Sequence, residues 1–218
     1  AIRAVELHHD TFRSTYAAVV ALLKREGLSA NAATALAGRW LSQGDFLLAP
    51  LEGQFDFVVG NPPYVRPELI PAPLLAEYRR RYQTMYDRAD IYIPFIERSL
   101  TALSAGGNLG FICADRWMKN RYGGPLRSLV AERFHLKVYV DMVDTPAFHS
   151  DVIAYPAITI ISREGGGATR IAHRPSIDRA TLTTLAGLLS APTLPKDAGP
   201  VRELARVTNG AEPWLLES

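Results

Sequence analysis

One short segment limits the possible folds of this chain more than any other. Phe55-Asp56-Phe57-Val58-Val59-Gly60 runs directly into Asn61-Pro62-Pro63-Tyr64. Aromatic and β-branched residues dominate the first stretch, and Gly60 with two prolines ends it, the pattern of a short buried strand. Pro62 holds Asn61 extended, and the Pro-Pro pair stiffens the turn. An amide, two prolines and an aromatic ring therefore sit at the carboxyl end of a strand. In open α/β sheets that edge is where ligands bind.

Those residue types suit a planar ring bearing an exocyclic amine. Such an amine is a weak nucleophile, because its lone pair is delocalised into the ring. Acceptors placed where positive charge develops help it attack, the mirror image of an oxyanion hole. Asn61 offers a side-chain carbonyl, and Pro62 a backbone carbonyl with no N–H beside it. Tyr64 offers a flat face for stacking. Taken without its strand, the tetrapeptide reads equally as a proline-rich turn with a core tyrosine.

The surrounding pattern alternates. Ile2–Leu7 reads as a strand, and Thr11 can cap a helix with Tyr16, Val19, Val20 and Leu23 on one face. A second helix is expected over 31–40, then the strand at 55–59, a helix over 90–103 and a strand over 108–113. A helix over 124–133 leads to strand 136–140 and a last strong strand, 153–162, interrupted by Pro156. This alternation predicts an α/β fold with a mainly parallel sheet and helices on both faces.

Composition excludes little. With 218 residues, a net charge of +2 and a pI near 8.8, the chain has room for one core and no need of a nucleic-acid partner. Arginines cluster at 79–81, and Arg116, Lys119, Arg121 and Arg127 follow the next strand; phosphate contact and a solvated helix face both fit them. No apolar run is long enough for a membrane span, and His8-His9-Asp10 lack metal-ligand spacing, so neither a membrane nor a metal is expected. The single cysteine, Cys113, forms no intrachain disulfide and suits a reducing, cytoplasmic setting, where it reads as buried ballast in its strand.

The segment FDFVVGNPPYVRPE resembles the signature of N6-adenine-specific DNA methyltransferases, in particular those of type IIG restriction–modification and BREX phage-defence systems. The likeness continues through ADIYIPFIERSL (89–100), LSAGGNLGFICADRWMKNRYGGPLRSLV (103–130) and VDTPAFHSDVIAYPAITII (143–161), in the family's order. It implies a Rossmann-like class I S-adenosylmethionine-dependent methyltransferase sheet. It also implies methyl transfer from S-adenosylmethionine to the N6 amine of adenine in double-stranded DNA. Asn61, Pro62, Pro63 and Tyr64 would then be the catalytic motif. Glu6 would bind the cofactor ribose, and Asp45 with Phe46 the cofactor adenine; Asp90 and Tyr92 would line the same pocket. Spacing alone also admits Glu6 as an exposed strand-end glutamate and Asp45 as a turn residue. Phe148 would stack on a flipped adenine opposite Tyr64, offsetting part of the unpairing cost; its other reading is a loop anchor on the core.

The family's glycine-rich cofactor loop, of the form D-P-A-C-G-S-G, does not precede Glu6 in this sequence. The expectation is a partial catalytic domain over 1–165, inactive by itself, whose first strand comes from an upstream segment or another chain. Residues 166–218, rich in proline, read as a linker or the start of a target-recognition region, with a weakly helical stretch at 177–189. Two rivals stay open: a methyltransferase acting on RNA adenine or protein glutamine, and a non-catalytic nucleic-acid-binding or assembly module.

Overall fold

A computed structural model describes residues 2–146, 156–208 and 212–216. The chain divides into two compact units, Ala1–Gly53 and Gln54–Ser218.

In the first unit, strand β1 (Ala4–Glu6) pairs in parallel with β2 (Leu41–Gln43), so that Glu6 stands opposite Gln43. Two helices, α1 (His9–Arg25) and α2 (Ala30–Trp40), make the crossover. Tyr16, Val19, Val20 and Leu23 recur at helical spacing on α1 and meet Ala33, Leu36, Ala37 and Trp40 of α2. Ser29 caps α2, its hydroxyl accepting from the Ala32 N–H at 3.3 Å. The cap expected at Thr11 is not used: α1 begins at His9, after the Glu6 carboxylate accepts the His8 N–H at 2.8 Å and turns the chain early.

The second unit is built on a sheet ordered β3-β4-β6-β5-β7-β8. Its strands are β3 (Phe55–Gly60), β4 (Leu103–Ala114), β5 (His135–Asp141), β6 (Pro156–Ser162), β7 (Thr169–His173) and β8 (Arg202–Leu204). β3 is parallel to β4 and β5 to β7, while β6 runs antiparallel between β4 and β5, and β8 antiparallel to β7. β3, β4, β5 and β7 therefore point the same way, and their carboxyl ends share one edge. The connections after β3 and β4 carry α3 (Ala72–Arg81) and the short α5 (Arg116–Lys119). On one face Leu109, Phe111, Leu136 and Ile161 are buried, with α4 (Tyr92–Thr101) against β4 and α6 (Gly124–Arg133) against β5. On the other face α7 (Arg179–Ser190) sets Leu185 over Val138, Val140 and Ala172. That cover stops short of β3, where Phe57 is 73% and Val59 83% exposed.

Several elements depart from the sequence reading. β4 starts at Leu103 rather than Asn108, because Phe55 already pairs with Leu103 across a register shift. β6 is described from Pro156 to Ser162, and the first part of the strand expected over 153–162 lies outside the described residues. Residues beyond 165 add β7 and β8 to the same sheet and pack α7 on it, and the two compact units meet in sequence at Gly53.

Candidate active site

Asn61 leaves β3 at the carboxyl edge with its side chain exposed, whereas Pro62 is buried and anchors the turn. Gly60 leaves room just before it: a Cβ there would stand 3.2 Å from Cε1 of Phe111, its register partner on β4, and that ring would have to give by a few tenths of an ångström. The chain then passes close to α4, the Val65 carbonyl accepting the Ile91 N–H at 3.0 Å. Tyr64 is 39% exposed, and its ring lies 6.2 Å from that of Tyr92, tilted by 48°. Burial of part of the phenol, with Cys113 nearby, pushes the Tyr64 hydroxyl up to about 12. Tyr64 is thus a neutral stacking and hydrogen-bonding group at physiological pH.

Asp90 is brought beside this turn. Burial raises its carboxyl above the usual range, and the Arg66 and Arg116 guanidinium groups pull it part of the way back. Tyr92, the first residue of α4, is fully buried and shares a hydroxyl–hydroxyl hydrogen bond with Tyr122 at 3.1 Å.

Glu6, Asp45 and Phe46 belong to the first unit. Within it Glu6 and Asp45 come together at the ends of two neighbouring parallel strands, since the Gly44 N–H donates to the Glu6 carbonyl at 2.9 Å. Asp45 accepts from the Leu47 N–H at 2.8 Å, and its carbonyl accepts from Leu48 and Ala49, which fixes the turn carrying the half-buried Phe46. Two carboxylates at adjacent strand ends with an aromatic ring following are an acceptor set that fits a nucleoside: acids to accept from hydroxyls and an amine, a ring for a base face. Phe148 lies outside the described residues.

Residues 20–148, more than half of the chain, match the model of the Eco57I restriction-modification methylase family. The chain belongs to that family. It is 99% identical over its whole length to the Type II methyltransferase M.PaeR7I of Pseudomonas aeruginosa, of which it spans 38%. It is 54% identical, over 99% of its length, to the Type II methyltransferase M.XhoI of Xanthomonas vasicola, spanning 40% of that protein. Among solved structures, one described as a class I S-adenosylmethionine-dependent methyltransferase from Listeria monocytogenes superposes with a TM-score of 0.54. That match covers 74% of this chain and 52% of the other at 15% identity, and supports the class I methyltransferase fold.

Two further groupings on the same edge of this Eco57I-family methylase were not read from the sequence. Asp115, just past β4, is 5% exposed and accepts from the Tyr139 hydroxyl at 2.8 Å, with Lys119 Nζ 3.8 Å away. Burial raises the Asp115 carboxyl, and the Tyr139 bond and Lys119 oppose that rise. At the ends of β5 and β7, Arg174 bridges Asp141 at 3.3 Å and Asp144 at 2.9 Å, and its N–H donates to the Asp141 carbonyl at 2.8 Å. This clamp fixes the start of the segment that leads to Phe148. Both groupings join residues more than 20 positions apart, so no local pattern announces them. Among the described residues no helix is long and apolar enough to cross a membrane, and no group of three or more His, Cys, Asp or Glu could hold a metal ion.

Proposed function

We propose that this chain is the catalytic part of a Type II modification enzyme that transfers a methyl group from S-adenosylmethionine to the N6 amine of adenine in double-stranded DNA, within a restriction–modification system. The observation that carries the reading is the placement of Asn61-Pro62-Pro63-Tyr64 at the carboxyl edge of the sheet. There the Asn61 amide is exposed and the Tyr64 ring is backed by a buried aromatic. Family membership and the names of the relatives support the same chemistry.

When bound, the cofactor would supply an electrophilic methyl group on a sulfonium, the S–CH3 bond breaking as the new N–C bond forms and leaving a neutral thioether. Glu6 would accept hydrogen bonds from ribose hydroxyls and Asp45 from the cofactor's adenine amine, and Phe46 would pack on that base. Asp90, whose carboxyl burial holds above its usual range beside the motif turn, would be a further contact of the cofactor. The Asn61 side-chain carbonyl and the Pro62 backbone carbonyl accept the two N–H groups of the target amine and stabilise the charge that builds on it as the new bond forms. Positioning and these acceptors carry the rate, and the surplus proton leaves to water. Tyr64 stacks on the target adenine, extruded from the duplex, with Phe148 opposite. β3 is the terminal strand of its sheet and its Phe57–Val59 face is exposed, which fits a further strand and its packing cover being supplied by other polypeptide.

Asn61→Ala in the full-length protein tests the reading. Losing one preorganised polar group at a reacting centre costs about 100- to 1,000-fold in turnover. Cofactor affinity and thermal stability should stay unchanged, since the Asn61 side chain is exposed. Turnover within a few-fold of wild type would remove Asn61 from the chemistry.

A further inference from the structure

The target-base reading leaves one question open: what holds the Tyr64 ring at the angle stacking requires. Its exposed face awaits a base, so the answer lies beneath it. There the ring of Tyr92 is wholly buried at the first position of α4. The backbone bond from Ile91 N–H to the Val65 carbonyl, 3.0 Å, ties the residue after the motif to the residue before Tyr92. Tyr64 and Tyr92 are therefore held together through both main chain and rings.

A phenylalanine would fill the same space under Tyr64. A tyrosine there buries a hydroxyl, and that hydroxyl has a partner, Tyr122, at 3.1 Å. Tyr122 stands in the short 3₁₀ turn Arg121–Gly123, which is held on every side. Arg127, 1% exposed on α6, donates from Nη1 to the carbonyls of Trp117, at 2.5 Å, and Asn120, at 2.8 Å. Gly123 lies so close to the Trp117 carbonyl that a Cβ would fall 1.8 Å from its oxygen. From the carboxyl-terminal side, the Trp214 N–H donates to the Met118 carbonyl at 2.9 Å, and its ring meets Trp117 edge-on at 5.5 Å. The turn thus presents the Tyr122 hydroxyl, which also bonds the Asn120 side chain, to one buried ring, which in turn supports the motif tyrosine.

We propose that Tyr92, fixed by its hydroxyl bond to Tyr122, is a positioning residue that sets the angle of the Tyr64 ring against the extruded base. The proposal rests on the methyl-transfer reading above and deepens it: Tyr92 acts through Tyr64 rather than on substrate. The Tyr92–Tyr122 bond also makes the 121–123 turn, and hence the segment around Trp214, part of the support for the target-base site.

The test uses the full-length protein carrying Tyr92→Phe, Tyr122→Phe, the double variant, and Tyr92→Phe in a Tyr64→Ala background. Removing one hydrogen bond corresponds to roughly a 3- to 10-fold effect. Each single variant should lower kcat/KM for duplex DNA by that factor, and the double variant by no more than either single one. Cofactor affinity should be unchanged, because Tyr92 is wholly buried with its hydroxyl on Tyr122 and so backs Tyr64 rather than lining the cofactor pocket expected for it from the sequence. In the Tyr64→Ala background Tyr92→Phe should change nothing further.

A second readout is independent of activity: 3-fluorotyrosine placed at position 64 should show a shifted or broadened ¹⁹F signal in both single variants. An equal loss with and without the Tyr64 ring, a loss confined to cofactor affinity, or an unmoved ¹⁹F signal would each overturn the proposal. If the wild-type protein methylates no DNA while the ¹⁹F signal still responds, the functional reading falls and the structural coupling stands.

Discussion

Replacing Tyr139 by phenylalanine removes a single oxygen from the interior, and the structure sets what that should cost. Tyr139 is 3% exposed, and its hydroxyl donates to Asp115, itself 5% exposed, at 2.8 Å. A hydrogen bond to a charged group contributes about 1.5–3 kcal/mol. For a unit of this size that corresponds to a fall in Tm of about 3–12 °C. The pH dependence follows from the proton balance. Burial raises the folded Asp115 pKa above its unfolded value, so between the two values the folded state binds the extra proton. Stability therefore falls as pH rises through that window, and the burial penalty is complete above the folded pKa. The Tyr139 bond favours the ionised form, so its loss should cost most at neutral pH. The cost should shrink as pH falls towards the ordinary aspartate pKa of about 4. Thermal unfolding of wild type and Tyr139→Phe, followed by circular dichroism at neutral and mildly acid pH, reads both features. A fall below about 1 °C at neutral pH, or an equal fall at both pH values, would refute the reasoning.

Glycine positions should separate by their surroundings. Gly123→Ala drives a methyl group into the Trp117 carbonyl and should lower the yield of folded protein sharply. Gly187→Ala, inside α7 with nothing within 4 Å of the added carbon, should raise stability by about 0.5–1 kcal/mol in denaturant unfolding. Equal effects at the two sites would contradict the packing described for the 116–123 loop. Cys113 is 1% exposed and its thiol is pushed up to about 12 by burial, with Asp115 adding to the rise. It should resist a thiol reagent at mildly alkaline pH and react once the protein is unfolded; rapid labelling of the native protein would place it elsewhere than β4.

The parts of this fold legible in the sequence are those decided locally. β3 and the turn after it follow from β-branched spacing, a glycine and two prolines, and α6 spans Gly124–Arg133 as its periodicity and Gly-Pro start indicate. β7 and β8 gave no such signal. Thr169–His173 carries an arginine at its second position, and it is a strand because β5 pairs with it and α7 covers it. Proline content made the same region read as a linker, although its prolines fall between elements rather than inside them. The site divides in the same way. Asn61, Tyr64 and Asp90 could be named from one stretch of chain, whereas Tyr122 matters through a contact 30 residues away.

The central claim is the identity of the methylated atom. Incubating the full-length protein with duplex DNA and methyl-labelled S-adenosylmethionine, then digesting the DNA and separating the nucleosides, reads it directly. The account predicts that all label in DNA appears as N6-methyladenine and that Asn61→Ala slows its appearance about 100- to 1,000-fold. Label in a methylated cytosine, or in RNA or protein with none in DNA, would contradict it.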